Sequence, residues 1–194
     1  MGVKIIKKSA NCVKYITDFL TRNFMELTIY TKYINSPLGE LEISATEQYL
    51  TSILFVEAQK KPSPRKVETD FMPAIIEEYV SQITEYFAGT RKHFDLRIQH
   101  VGTDFQKLVW EKLETIPYGK TISYLELSRR IGNEKAIRAV GTTNGNNKFN
   151  IIVPCHRVIG SDGSLVGYGG DLWRKKWLLE HEVKVLGNYQ MSMF

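Results

Sequence analysis

The residues best suited to chemistry stand in one run, Pro154-Cys155-His156-Arg157, reached through the apolar stretch Ile151-Ile152-Val153. A free cysteine has a pKa of about 8.5 and is a weak nucleophile near neutral pH unless a base or a positive charge favours its thiolate. His156 and Arg157 are residue types that do this, so the run points to a Cys155 whose pKa is depressed. The apolar stretch reads as a strand, in which neighbouring side chains face opposite ways. Contact between Cys155 and His156 then needs irregular backbone or a bridging water. A third group must orient the histidine, and Glu182, closing a helix over 172–182, is the acidic candidate. Each residue also has a plainer reading: Cys155 as a small buried hydrophobe, His156 and Arg157 as packing residues, Glu182 as an exposed helix-end carboxylate.

The elements that would position this run lie just before it. Thr103 and Gln106 have the spacing of a capping box, followed by Phe105, Val109 and Leu113 on one helical face, with Pro117 as terminator. Ser123 and Glu126 repeat the spacing and open a second helix to Ile131. Gly132-Asn133 breaks it, and a third helix runs from Lys135 to about Asn144. Two short helices joined by a tight glycine turn form a helix-turn-helix candidate, a motif shared by helical hairpins with no nucleic-acid role. Arg129, Arg130, Lys135 and Arg138 favour a polyanion as partner. Residues 120–176 hold ten Lys or Arg against four Asp or Glu in a chain whose formal net charge is +5. A solvated basic face is the alternative.

The first half has another character. Segments 27–34, 40–45 and 50–56 are short, β-branched and aromatic, with Ser36-Pro37-Leu38-Gly39 as a turn, and read as an antiparallel meander. A polar loop, 60–66, leads to a helix carrying Phe71, Ile75, Tyr79, Ile83 and Phe87 and ending at Gly89. The domain boundary falls at 99–102. Residues 1–24 are Lys-rich without the apolar core of a secretory signal and read as an extension, with Met25 as an alternative start and an organelle-targeting segment as a further option. Two cysteines in unlike contexts, Cys12 and Cys155, argue against a disulfide framework and for a reducing compartment. No apolar run approaches the length needed to span a bilayer.

Pro154-Cys155-His156-Arg157-Val158, together with Phe105-Gln106, Val109-Trp110, Ile116-Pro117-Tyr118-Gly119, Ile122-Ser123-Tyr124, Arg138-Ala139-Val140-Gly141, Gly167-Tyr168-Gly169-Gly170 and Trp177-Leu178-Leu179-Glu180-His181-Glu182, resembles the O6-alkylguanine-DNA alkyltransferases. The resemblance covers 36–182. It implies an α+β fold: a small N-terminal antiparallel sheet with a helix, ribonuclease H-like, over 25–99, and a winged-helix-like C-terminal domain with the helix-turn-helix over 100–187, then a tail at 188–194. The implied activity is DNA repair by stoichiometric, irreversible transfer of an alkyl group from O6 of guanine, and O4 of thymine, to Cys155. No cofactor or metal is implied, and the chain lacks the metal-binding cysteine cluster of regulatory relatives.

Residue roles follow from the same resemblance. His156 deprotonates Cys155 through a water while Glu182 holds the imidazole. Tyr124 helps rotate the damaged nucleotide and protonates the leaving guanine, and Arg138 enters the stack where the base left, from a helix lying in the minor groove. Lys135, Ala139, Gly141, Arg157 and Thr103 join Tyr124 and Arg138 in contacting DNA. Asn147 bridges the two helices beneath the site, and Val153, Pro154, Val158, Tyr168, Gly169 and Gly170 line the base pocket. The implied partner is double-stranded DNA containing O6-alkylguanine, met by a monomer without a membrane role, in the cytoplasm or, in a eukaryote, the nucleus. Lys148 stands where relatives carry Pro, and Asp171 where a Gly often stands. Asp171 reads either as an N-cap of the last helix or as a negative charge at the pocket mouth. Two other classes compete: a non-catalytic binder of alkylated bases, which would lack the cysteine, and a Cys-His hydrolase, which would turn over without DNA.

Overall fold

A computed structural model describes residues 28–59 and 73–187. The extension 1–24, Cys12, Phe71, the 60–66 loop and the 188–194 tail lie outside the described residues. Three antiparallel strands, β1 (Tyr30–Ser36), β2 (Gly39–Ala45) and β3 (Leu50–Phe55), form the meander in the order β1-β2-β3. Gly39, at φ 98°, makes the β1–β2 turn. β2 is central and buried from Leu41 to Ala45. Helix α1 (Ala74–Phe87) covers the sheet with Ile75, Ile76, Tyr79, Ile83 and Tyr86. Burying each such aliphatic side chain stabilises the fold by about 1.5–3 kcal/mol relative to exposure.

Beyond the linker lie α2 (Asp104–Glu114), the short strand β4 (Ile122–Ser123), α3 (Tyr124–Arg130), α4 (Ile137–Gly145), the short strand β5 (Val158–Ile159) and α5 (Leu172–Val185). The Thr103–Gln106 capping box forms with both of its hydrogen bonds. The second box forms by half: Ser123 Oγ caps the Glu126 N–H, but the Glu126 carboxylate turns to Arg130 at 3.0 Å. β4 and β5 pair in parallel, so the start of the helix-turn-helix is bonded to the strand that leaves the cysteine run.

β3 bonds both to the end of its own half and to the second half. Its Leu50 N–H donates to Arg97 O and its carbonyl accepts from Gln99 N–H. Its Ile53 N–H donates to Lys148 O, and Ile53 O accepts from Asn150 N–H. The sheet edge therefore supports the segment leading to Cys155 directly. Among the described residues, no helix is long and apolar enough to cross a membrane.

Candidate active site

Cys155 stands on a turn, which corrects the strand reading of 151–153. Ile151 adopts φ 73°, a conformation rare for a β-branched residue. Ile152 N–H bonds back to Asn150 O, Cys155 N–H bonds back to Val153 O, and Cys155–Arg157 form one 3-10 turn. Ile151 and Val153 are apolar because they are fully buried, a signal that a run this short shares with a strand. The irregular backbone lets Cys155, His156 and Arg157 all point inward, and all three are buried.

Asn147 holds this turn. Its Nδ2 lies 2.9 Å from Val153 O, 3.3 Å from Phe149 O and 3.0 Å from Cys155 Sγ, and its Oδ1 accepts from the Phe149 N–H. It therefore clamps the cysteine loop and does not bridge two helices. That bridging belongs to Asn144 of α4, whose Nδ2 is 3.4 Å from the Tyr124 hydroxyl of α3 and 3.3 Å from both Cys155 O and Gly167 O.

Glu182 is fully buried inside α5, which continues to Val185, so it is neither exposed nor at the helix end. Its Oε1 takes the His156 Nε2–H at 2.9 Å and the Tyr86 O–H at 3.0 Å, and its Oε2 takes the Gly119 N–H at 2.8 Å. Arg157 forks onto both oxygens, NH2 to Oε1 at 2.9 Å and Nε to Oε2 at 3.0 Å, while NH1 donates to Ile116 O. Burial alone would raise the Glu182 pKa, yet His156 and Arg157 together hold the carboxyl well below the usual range. The same geometry corrects the DNA-contact reading of Arg157. Its guanidinium is buried and engaged by Glu182 and a backbone carbonyl, not displayed at the surface.

With Nε2 spent on Glu182, His156 keeps Nδ1 as its basic atom, buried and without a protein partner. Burial pushes the His156 pKa down against the raising influence of Glu182, so the ring is neutral near neutral pH. Cys155 departs from expectation: burial pushes its thiol up to about 11, outweighing the Asn147 hydrogen bond and the Lys175 charge that pull it down. A neutral imidazole supplies no cation, and Arg157 spends its charge on Glu182. At rest Cys155 is a thiol.

Lys175 of α5 is fully buried, with Nζ 2.6 Å from Val158 O and 2.5 Å from Val166 O. Burial brings its pKa down to about 8. The ammonium ties β5 to the 166–170 loop, and the Tyr124 hydroxyl donates to the same loop at Val166 O and Gly167 O. A Cβ at Gly167 would fall 2.5 Å from that hydroxyl, and one at Gly169 would fall 2.7 Å from Gly145 O, so only glycines let the loop close this tightly.

A depression of about 620 Å³ opens between α4 and this loop, lined by Gly141, Thr142, Asn147, Tyr168, Gly169 and Asp171 among others. Val153, Val158 and Gly170 are buried behind it. Pro154 departs from its expected place, lining a different hollow with Ile152, Phe94 and Glu114, because the turn sends it away from Cys155. Asp171 occupies the N-cap position of α5 at φ 71° but makes no cap. Its carboxylate pairs with Arg174 instead. On the opposite rim, Lys135, Arg138 and Ala139 are exposed, as is Thr103, whose hydroxyl caps α2. Arg129 and Arg130 pair with Glu134 and Glu126, whereas Lys135 and Arg138 have no acidic partner among the described residues.

Two sequence profiles match the chain: the ribonuclease-like domain of 6-O-methylguanine DNA methyltransferase over residues 29–100 and its DNA-binding domain over residues 104–184. The chain belongs to the 6-O-methylguanine DNA methyltransferase family. The methylated-DNA–protein-cysteine methyltransferase of Mycobacterium tuberculosis H37Rv is 46% identical over 154 residues, 79% of this chain and 92% of that protein. The enzyme of the same name from Methanosarcina acetivorans is 41% identical over 157 residues, covering 79% of this chain and 98% of the relative. Among solved structures, the Mycobacterium tuberculosis O6-methylguanine methyltransferase superposes with a TM-score of 0.73 at 44% identity, covering 81% of this chain and 94% of that one. The Mycobacterium tuberculosis OGT in complex with DNA gives 0.73 at 43% identity, covering 80% and 94%. Family membership fits the α+β architecture just described, a small antiparallel sheet with its helix followed by the helix-turn-helix half.

Tyr86, Gly119, Asn144 and Lys175 are absent from the site as the sequence presents it. The Ile116-Pro117-Tyr118-Gly119 motif carried a signal for Gly119, whose φ of 69° places its N–H on Glu182.

Proposed function

We infer that this protein repairs DNA by transferring an alkyl group from O6 of guanine, and O4 of thymine, to Cys155, acting as a methylated-DNA–protein-cysteine methyltransferase on duplex DNA. The observation that carries the assignment to Cys155 is the buried chain of groups behind it. Glu182 grips His156 Nε2 and leaves Nδ1 as the base beside the cysteine turn. We place the work in two domains meeting at 99–102, in a cytoplasmic monomer, or a nuclear one in a eukaryote.

The thiol pKa of about 11 makes a preformed thiolate scarce. Proton removal by His156, through a water, therefore accompanies the attack. The S–H proton passes to the imidazole, sulfur bonds to the alkyl carbon, and the carbon–O6 bond breaks. The electron pair leaves with guanine, which takes a proton from the Tyr124 hydroxyl, and the imidazolium proton restores the balance. The products are guanine and a Cys155 thioether, which does not hydrolyse, so each molecule acts once.

Cys155 is 1% exposed beneath Tyr124 and the glycine loop, so the flipped base must displace the hydroxyl from Val166 O and Gly167 O. That displacement frees Tyr124, whose pKa burial raises to about 12, to act as donor. Arg138 and Ala139 on the exposed face of α4, with Lys135, supply the DNA contact, with α4 in the minor groove and Arg138 filling the gap left by the base. Intact-mass measurement after mixing with duplex DNA containing O6-methylguanine tests the reading. One methyl group per molecule on Cys155, and none on Cys155→Ala, is expected. Many lesions repaired per molecule would sink it.

A further inference from the structure

The last turn of α1 reaches from the ribonuclease-like half into the relay. Tyr86 is fully buried, and its hydroxyl donates at 3.0 Å to Glu182 Oε1, the same oxygen that receives His156 Nε2–H. We propose that Tyr86 is a positioning residue for alkyl transfer, its hydroxyl setting the orientation and basicity of His156 through Glu182. The proposal rests on the His156–Glu182 relay inferred above and adds to it a member from the other half of the chain.

A buried tyrosine needs a hydrogen-bond partner, and the neighbouring α1 residue Tyr79 shows the plain solution, donating to the backbone carbonyl of Arg97. Tyr86 instead meets a carboxylate that the Arg157 fork and the Gly119 N–H already satisfy. Its hydroxyl is therefore superfluous for solvating Glu182. What it does is draw negative charge away from Oε1, the oxygen that would stabilise an imidazolium. A donor there keeps His156 in the neutral form that can accept the thiol proton.

The ring has little freedom. Tyr118 meets it edge-on at 6.0 Å, with Phe94 at 5.5 Å and His181 at 5.3 Å. The charged and titratable groups facing the pair are Glu182, Arg157 and Tyr118 around Tyr86, and Glu182, Arg157 and Lys175 around His156. His181 lies against the Tyr86 ring but spends its Nε2 on Tyr86 O. None of these groups supplies Oε1 with a neutral donor in place of the Tyr86 hydroxyl.

Three full-length variants separate the possibilities: Tyr86→Phe, Tyr79→Phe as a matched loss of a tyrosine hydroxyl from the same helix, and Glu182→Gln. The measurement is the single-turnover rate against pH, on free O6-benzylguanine and on a duplex containing O6-methylguanine. Tyr86→Phe should slow both substrates alike by about tenfold, the size of one hydrogen bond to a charged group, and move the acid limb to higher pH. Glu182→Gln should move that limb to lower pH, because the imidazolium loses its counter-charge. Tyr79→Phe should move neither limb nor rate while lowering the melting temperature. Fluorotyrosine at position 86, a stronger donor of nearly the same shape, should move the limb downward and guards against a Phe variant that folds poorly. If Tyr86→Phe matches Tyr79→Phe, or fluorotyrosine shifts nothing while Glu182→Gln does, the positioning role is overturned. If Glu182→Gln leaves the limb in place, the relay itself is wrong.

Discussion

Burial sets the character of the Cys155 thiol. Cys155, His156 and Glu182 are each recognisable by type and spacing, but the sign of the thiol shift is not, because it depends on how much water surrounds the sulfur. Asn144 is hidden for a related reason: an Asn before Gly145 at a helix end looks like a C-terminal signal, whereas its amide sits among the Tyr124 hydroxyl, Cys155 O and Gly167 O. Lys175 hides among the basic residues of α5, where a lysine is ordinarily solvated. Its ammonium is the cation that lowers the Cys155 pKa. Lys175→Met should therefore drive the thiol pKa higher still and slow reaction with free benzylguanine. It also takes the Lys175 donor from the Val158 carbonyl, at about 1–3 kcal/mol, while Val166 O keeps the Tyr124 hydroxyl. A pH profile of thiol alkylation identical to wild type would show that the ammonium serves the loop alone.

At the scale of elements, the helices were legible because capping boxes and 3.6-residue periodicity are local. The end of α1 shows the limit. An i+4 stripe picks out Phe87, yet Tyr86 is fully buried and Phe87 half-buried, since the stripe drifts around the helix and the partner that claims Tyr86 comes from α5. The 151–153 run misled because burial on a turn and burial in a strand look alike over three residues. α4 offers the clearest test of an element's role. Its rim residues Arg138 and Ala139 are exposed, and Trp110 Nε1 of α2 holds the helix by donating to Thr143 O. Arg138→Ala should slow repair of duplex DNA by up to about a hundredfold, because only there must a stacked base be extruded at a few kcal/mol. Reaction with free benzylguanine should be nearly unchanged. Equal slowing on both substrates would place Arg138 in the chemistry and end its role as a wedge.

The groups of the proposed relay also hold the two halves together, which gives the stability a definite pH dependence. Glu182 has a folded pKa far below its ordinary 4.5. Its contribution is thus complete above that value and is lost as pH falls through the folded pKa. His156, depressed below 6.5 by burial, acts in the same direction, since protonating it opposes the fold. The melting temperature should therefore fall on acidification from neutral pH, in a curve flattened at its acid end by Glu182→Gln. An unchanged curve in the variant would mean that other carboxylates dominate.

A further tie between the halves is Arg174, 1% exposed, at the start of α5. Its Nε donates to Leu38 O at 2.7 Å in the β1–β2 turn, NH2 meets Glu57 beyond β3 at 2.5 Å, and NH1 meets Asp171 at 2.7 Å. The guanidinium also lies over the rings of Phe55 and Trp173, 4.9 and 4.5 Å from their centroids. Glu57 and Asp171 are more than half exposed, so the ion pairs contribute little by themselves, about 0–1 kcal/mol each. The larger loss on truncation is the donor to Leu38 O and the packed plane between two aromatic rings. Arg174→Ala should then destabilise the protein by about 2–4 kcal/mol, which at roughly 2–4 °C per kcal/mol for a chain of this size lowers the melting temperature by about 5–15 °C. It should also release Asp171 from its φ of 71°, loosening the loop that closes over Cys155 and slowing transfer from both free base and duplex. Arg174→Lys supplies the charge without the planar three-way fork. It should restore little of either property, and full rescue by lysine would reduce the clamp to simple charge neutralisation.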